Sequence, residues 1–440
     1  MKRLSNWLLN ILYLAALLCV SPAVAWIAWR TGKYREGYAE KLLGRVPIRT
    51  GNRACVWLHA VSVGEVNLLG VLISELQNQR PELELVVSTT TKTGYDLARK
   101  KYGERHTVFY CPLDFSWAVD AAMQRVRPDL LVLAELELWP NLIAGAQRHG
   151  AKVAVVNGRL SESSFRGYRR VKWLLRGVLQ QVDVIAAQDE ATAARFRSLG
   201  APVDRVTVTG SLKYDGAETD RSNPRTQALR GLTGFAESDM VWLAGSTQAP
   251  EEAICLRVFL KARERFPGLR LVLVPRHPER FEEVAAMLAA KGLDWTRRSK
   301  LPSASSFPPS VLLVDSVGEL GAWWGVADLG FVGGSFGDRG GQNMIEPAAY
   351  GVATSFGPNT RNFRDIVAAL LRADGARVVE DEAALADFVF GCLEDTDAAA
   401  QLGGRARGFV KTQLGATDRT VRLIEPLLGI TDSTASRAAA

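Results

Sequence analysis

Carboxylates placed just after apolar runs are the first residues here that could do chemistry. Val61-Ser62-Val63-Gly64-Glu65 and Gly340-Gly341-Gln342-Asn343-Met344-Ile345-Glu346 each follow a strand-like apolar run and open a helix. The first offers a lone carboxylate; the second offers backbone amides and a carboxylate. Half-sites of this kind on opposite halves of a chain predict a cleft between two lobes, with an activated donor on one side and an acceptor on the other. Group transfer suits that arrangement. Glu65 falls in a first helical turn, where an acid complements the helix dipole for roughly 0.3–1 kcal/mol. The same position suits a general base facing a hydroxyl, ideally with a raised pKa.

Glu135 and Glu137 interrupt the run Leu130-Leu131-Val132-Leu133-Ala134. On a strand, residues two apart share a side, and ionised groups ending a buried strand are costly unless paired or functional. Emergence into solvent is the plainer alternative. Trp139-Pro140-Asn141 then starts a helix, with Pro140 suited to its first turn. In the second half, Gly245-Ser246-Thr247 follows Val241–Ala244 and leaves amides free for a phosphate. Arg276-His277 follows Leu271–Pro275; the arginine can grip a phosphate bidentately, and His277 can stack or hydrogen-bond. Gly333-Gly334-Ser335 ends another strand. A Walker A motif is absent, which excludes P-loop chemistry. Asp395-Thr396-Asp397 has the Asp-x-Asp form but lies in an acidic, Ala-rich region. With neither CxxC nor HExxH present, the expectation is no metal site.

The elements that must hold these residues alternate short apolar runs with amphipathic stretches. Strands are expected at Cys55–Val61, Leu83–Ser88, Thr107–Tyr110, Leu130–Ala134, Lys152–Val156, Val184–Ala187 and Val206–Thr209. A second series follows at Val241–Ala244, Leu271–Val274, Val311–Val314, Leu329–Val332 and Val352–Ser355. Such βαβ alternation predicts parallel sheets covered by helices, with ligands beyond the carboxyl ends of the strands. The expected domains are 31–215, a linker with a short helix at 216–240, a second domain at 241–430, and a disordered tail at 431–440.

At 440 residues two domains are the natural reading, and 47% apolar residues rule out a largely disordered chain. Lys plus Arg exceed Asp plus Glu by 54 − 47 = +7, which suits acidic partners. Five cysteines without paired spacing argue for free thiols in a reducing compartment. Leu4 to Trp29 carries no charge. The 23 residues from Trp7 to Trp29 would make about 35 Å of helix, enough for a bilayer core of about 30 Å. A cleaved signal peptide is the competing reading, with Ala23-Val24-Ala25 as cleavage site, but the apolar run continues beyond it. A retained anchor at 1–30 is therefore expected. Arg30, Lys33, Arg35, Lys41 and Arg45 follow it, which places the body in the cytoplasm. Phe165 to Arg176 interleaves five basic residues with Phe165, Tyr168 and Trp173. It reads either as a contact for anionic lipid or as a solvated face with aromatics in the core. No module that reads nucleic acid is visible.

Taken in order, Ser62-Val63-Gly64-Glu65, Glu135-Leu136-Glu137-Leu138-Trp139-Pro140-Asn141, Asn157-Gly158-Arg159-Leu160-Ser161 and Gly210-Ser211-Leu212-Lys213-Tyr214-Asp215 resemble the Kdo transferase family. Kdo is 3-deoxy-D-manno-octulosonic acid. Gly245-Ser246-Thr247, Pro275-Arg276-His277-Pro278-Glu279-Arg280, Gly318-Glu319-Leu320 and the run Gly333 to Phe363 extend the resemblance. It implies a GT-B fold, two Rossmann-like domains facing a cleft, and inverting transfer of Kdo from CMP-Kdo to lipid IVA at the inner membrane, without a metal or cofactor. Glu65 resembles the proton acceptor. Glu135 or Glu137, with Lys213, resembles the groups stabilising the transition state. Ser246, Thr247, Arg276, His277, Val317, Gly318, Glu319, Asn343, Met344, Ile345 and Glu346 resemble the CMP site, with Glu346 on the ribose. Gln248 and Gln342 stand where His would be expected in many relatives, and Met344-Ile345 replaces a pair expected to include Pro. Another GT-B transferase using a UDP-sugar, or a non-catalytic glycolipid-binding protein, are the alternatives.

Overall fold

The computed structural model describes residues 2–31, 36–301 and 308–429. The chain forms two compact units. One joins residues up to Gly216 with those from Leu414 onward; the other is Ala217–Gln413. The first unit holds β1 (Cys55–Ala60), β2 (Glu84–Thr89), β3 (Thr107–Tyr110), β4 (Leu130–Ala134), β5 (Lys152–Gly158), β6 (Val184–Ala187) and β7 (Val206–Val208). They make one parallel sheet in the order β3-β2-β1-β4-β5-β6-β7.

All six residues of β1 are buried, as expected of a parallel strand covered on both faces. Their alternation sends Cys55 and Trp57 to one core and Val56, Leu58 and Ala60 to the other. His59 sits within this run, fully buried, with Nδ1 2.9 Å from the Ser88 hydroxyl on β2. Burial pushes its pKa down to about 4, so the imidazole is neutral. The core below β1 also receives Val421, Ile424 and Leu428 from the end of the chain.

The second unit holds β8 (Met240–Thr247), β9 (Leu269–Pro275), β10 (Trp295–Arg297), β11 (Val311–Leu313), β12 (Leu329–Val332), β13 (Ala353–Phe356) and β14 (Ala376–Val378). Its parallel sheet runs β10-β11-β9-β8-β12-β13-β14. In both sheets the strand order reverses once near the middle, between β1 and β4 and between β8 and β12. Ligands of doubly wound folds gather at such switch points.

The domain limits differ from those expected. Residues 217–240 belong to the second unit, where helix Pro224–Thr233 is tied in by Asn223 and Thr226 to Tyr350. Residues from 414 onward leave the second unit because helix Ala416–Ile424 buries Val421 and Ile424 in the first. The tail at 431–440 lies outside the described residues. All five cysteines are free.

The N-terminal segment is one helix, Lys2–Thr31, with Pro22 inside it. Pro22 has no N–H for the carbonyl of Leu18, and the Ser21 hydroxyl bonds that carbonyl at 2.9 Å. Asn10 and Tyr13 fasten the helix to the first unit. Asn10 bonds Ser116 (2.7 Å) and Asn141 (3.2 Å), and the Tyr13 hydroxyl donates to Asp114 (3.0 Å). Among the described residues no helix is long and apolar enough to cross a membrane, so the expected crossing is not carried by the structure.

Candidate active site

Two clusters form, one at each switch point. In the first unit, β1 ends at Ala60 and Ser62 caps helix Val63–Gln79. The Ser62 hydroxyl donates to Glu65 Oε1 (2.7 Å), and the Val61 N–H donates to Oε2 (2.8 Å). This reciprocal cap holds the Glu65 carboxylate at the carboxyl end of β1. Burial raises its pKa, the Val61 and Ser62 hydrogen bonds lower it, and the Glu135 charge raises it again; the net shift is upward. Glu65 thus has both properties weighed from sequence: it caps the helix, and its basicity is enhanced.

Glu135 and Glu137 do not follow the strand geometry expected of them. β4 ends at Ala134, and Glu135 takes a left-handed backbone with φ 57°. The turn separates the two side chains. Glu135 accepts a salt bridge from Lys213 Nζ at 3.1 Å, while Glu137 accepts from the Trp139 indole N–H at 2.7 Å. Lys213 is delivered by a loop pinned on Asn157. This buried residue is the last but one of β5, with φ 52°, and its Oδ1 accepts from Leu212 N–H (3.0 Å) and the Ser211 hydroxyl (3.3 Å). Burial first, then the charges of Glu65 and Glu135, push Glu137 up to about 7 against the Trp139 bond. The cluster therefore gathers Glu65, Glu135, Glu137 and Lys213, with the carboxylates in one another's field.

The Glu137 shift has a checkable sign. Its folded pKa lies above the ordinary glutamate value, so between about 4.5 and 7 the folded state binds the extra proton and stability falls as pH rises. Above about 7 the ionised side chain costs stability in full. Glu137→Gln is therefore expected to raise the urea midpoint at pH 8 and to change it little at pH 5. Equal gains at both pH values would contradict the assignment.

In the second unit, Gly245-Ser246-Thr247 ends β8, with Ser246 at φ 55°. Thr247 is fully buried and its hydroxyl has no partner among the described residues. Gly333 follows β12, and a Cβ there would lie 2.6 Å from Thr247 Cα and 2.8 Å from the Ser246 carbonyl, so only glycine allows the two loops to meet. The residue that joins them was not anticipated. Glu251, 1% exposed, accepts N–H bonds from Gln248 (2.9 Å), Gly334 (2.7 Å), Ser335 (2.9 Å) and Phe336 (3.0 Å). Its only sequence signal is an acid in the turn that opens helix Glu251–Arg263, a common cap.

Arg276 is exposed beyond β9; burial raises the pKa of Glu346, and the Asn343 hydrogen bond and then the Arg276 charge offset only part of that rise. Asn343 donates to Glu346 Oε1 (3.1 Å) and accepts from Ile345 N–H (3.1 Å). Arg276, Asn343 and Glu346 therefore share one locality. Met344 and Ile345 are buried, so they could meet a ligand only through backbone. Glu319 is gripped by Arg298 through two bonds of 3.1 and 3.0 Å and by the Ser316 hydroxyl at 2.6 Å. Burial raises its pKa, but these bonds outweigh that and hold it low. Arg298, like Glu251, went unread in the sequence. Val317 is 78% exposed and Gly318 has φ 91°. His277 is exposed at the start of the turn Pro278–Arg280. Gln248 and Gln342 both lie beside Gly334, where a Cβ would be 3.3 and 3.2 Å from their amide nitrogens. Asp395 caps helix Thr396–Gln413 by accepting from Ala398 N–H at 2.8 Å.

Two parallel-sheet α/β units with a charged cluster at each switch point define a GT-B-like protein. Residues 33–216 match the family described as 3-Deoxy-D-manno-octulosonic-acid transferase (kdotransferase). The 3-deoxy-D-manno-octulosonic acid transferase of Haemophilus influenzae is 32% identical, covering 94% of this chain and 98% of its own. That of Bordetella pertussis is 33% identical, covering 95% and 99%. The UDP-GlcNAc 2-epimerase of Neisseria meningitidis, solved with UDP-GlcNAc, shares the fold at 13% identity and a TM-score of 0.55, covering 84% of this chain and 100% of its own. The chain belongs to the 3-deoxy-D-manno-octulosonic acid transferase family and is a glycosyltransferase.

Proposed function

We propose that this chain transfers Kdo from CMP-Kdo to lipid IVA, inverting the sugar centre without a metal. The observation that carries the reading is the carboxylate cluster of the first unit, in a chain of this family. Glu65, its basicity raised by burial, takes the proton from the acceptor hydroxyl as that oxygen attacks the anomeric carbon of Kdo. The bond to CMP breaks, and the cytidylate leaves with the electron pair. Lys213, paired with Glu135 at 3.1 Å, supplies positive charge near the reacting groups. Protonated Glu137 adds no further negative charge below about pH 7. In the second unit Arg276 takes the phosphate and Glu346 the ribose, with Ser246, Thr247, His277, Gly318, Glu319 and Asn343 around the nucleotide. Preorganised charge of this kind favours a developing anion.

Purified full-length protein is expected to release CMP from CMP-Kdo only when lipid IVA is present. CMP should compete and UDP should not. Turnover of a UDP-sugar in place of CMP-Kdo would move the assignment to another transferase. Binding of lipid IVA with no donor consumed would make the chain a glycolipid-binding protein.

Helix Lys2–Thr31 attaches the enzyme to the inner membrane in this reading, with both units on the cytoplasmic side. Its outward residues Leu12, Leu18 and Trp29 are exposed, and basic residues follow it. The segment Phe165 to Arg176 supports attachment: Phe165 and Tyr168 pack on the core, while Trp173 is 78% exposed among exposed Arg169, Arg170 and Lys172. A form beginning at residue 36 is expected to leave the membrane fraction on carbonate extraction, and the full chain to stay. Equal extraction of both would reject the helix as the attachment.

A further inference from the structure

Beside the carboxylate cluster of the first unit lies a cavity of about 270 Å³. Ala16, Leu17 and Val20 of helix Lys2–Thr31 form one wall, and Leu113, Phe115 and Trp139 form the others. The polar groups at its edge are already satisfied. Asp114 accepts from the Tyr13 hydroxyl (3.0 Å) and from the N–H groups of Asn141 (3.1 Å) and Leu142 (2.8 Å). What remains for an occupant is apolar surface. A water-soluble ligand would find no hydrogen-bonding partner there, and a hydrocarbon would need none.

The cavity is joined to the reacting groups through a single side chain. Trp139 lines it, and the same indole donates to Glu137 at 2.7 Å. Its apolar character also continues outward. Phe115 stacks on Trp117 with ring centroids 4.6 Å apart, and Trp117 is 42% exposed. On the helix side, Leu14, Leu17 and Val20 are exposed as well. An apolar recess that opens beside exposed apolar side chains, one residue from the carboxylates, fits a molecule with its polar end at the cluster and a hydrocarbon chain trailing away.

We infer that this cavity seats one fatty acyl chain of the glycolipid acceptor, so that helix Lys2–Thr31 forms part of the acceptor site. The inference rests on the proposed lipid acceptor and specifies which residues recognise its acyl part.

Two measurements test it on the full chain in phospholipid vesicles. Ala16→Trp and Leu113→Trp each fill the cavity while leaving Trp139 in place. Both are expected to raise KM for lipid IVA at least tenfold. With a de-acylated, phosphorylated glucosamine disaccharide as acceptor, kcat/KM should change less than twofold. Equal losses with both acceptors, or an unchanged KM for lipid IVA, would overturn the inference.

Separately, lipid IVA carrying a diazirine on an acyl chain should crosslink wild-type protein within residues 13–20 and 113–117. Phosphatidylethanolamine carrying the same group should label these peptides several-fold less. Labelling elsewhere, or equal labelling by both lipids, would mean that the cavity has no acceptor specificity and would end the proposal. If wild type transfers Kdo to neither acceptor, the transferase reading falls, and the crosslinks still decide what the cavity holds.

Discussion

Replacing Glu65 with glutamine is expected to lower kcat by about 10²–10⁴-fold, the range for loss of a general base, with little change in the melting temperature. The carboxylate has two jobs that this substitution separates. Its oxygens accept from Val61 N–H and the Ser62 hydroxyl, and a glutamine oxygen can keep one of those bonds. A glutamine cannot accept the acceptor's proton. Glu65→Ala loses the cap as well, adding a stability loss of about 0.5–2 kcal/mol typical of capping residues. If Glu65→Gln turns over like wild type while Glu65→Ala is merely less stable, the residue is a cap and the proton goes elsewhere. Single-turnover rates alongside urea unfolding of the same preparations separate these outcomes.

Glu251→Ala is expected to damage both stability and donor binding. Its buried carboxylate accepts from four backbone N–H groups, and truncation leaves them unpaired at roughly 1–3 kcal/mol each before relaxation. Water entering the gap would recover part, so a net loss of about 3–5 kcal/mol is expected, as for breaking a buried charged pair. Glu251→Gln should fall between, because its amide turns a donor toward donors. Where either variant remains folded, CMP binding by calorimetry should weaken at least tenfold, since Gly334 and Ser335 lose the group that sets their direction. Wild-type CMP affinity in a folded Glu251→Gln variant would reduce Glu251 to a stabilising group with no part in shaping the donor loops.

Much of this was legible in the sequence, and the gaps have physical reasons. The central strands announce themselves because a parallel strand buried on both faces must be a continuous apolar run, as Cys55–Ala60 and Leu130–Ala134 are. Strands β10 and β14 escaped because they lie at sheet edges. Trp295–Arg297 and Ala376–Val378 are short and carry arginines, which is how edges are kept from pairing further. The Ala-rich region around Asp395 forms two helices, Glu382–Glu394 and Thr396–Gln413, divided at Asp395 because that aspartate caps the second. In the site, Glu65 was visible as an acid after a strand, but its proximity to Glu137 depends on β1 pairing with β4, sequence neighbours of neither. The Glu135–Lys213 pair needed the left-handed turn at Glu135 and the loop pinned by Asn157, and neither has a signature in composition. Glu251 shows how a decisive buried carboxylate can look like an ordinary cap when only its neighbours along the chain are visible.

The return of the last helix has a consequence for synthesis. Val421, Ile424 and Leu428 fill part of the core beneath the first sheet, so that sheet cannot be finished when its own strands emerge from the ribosome. Translation runs at about 5–20 residues per second, which leaves the nascent first unit with an uncovered apolar patch for some tens of seconds while the second is made. A chaperone that shields such patches should be found on stalled chains ending near residue 400 and be absent from chains released at full length.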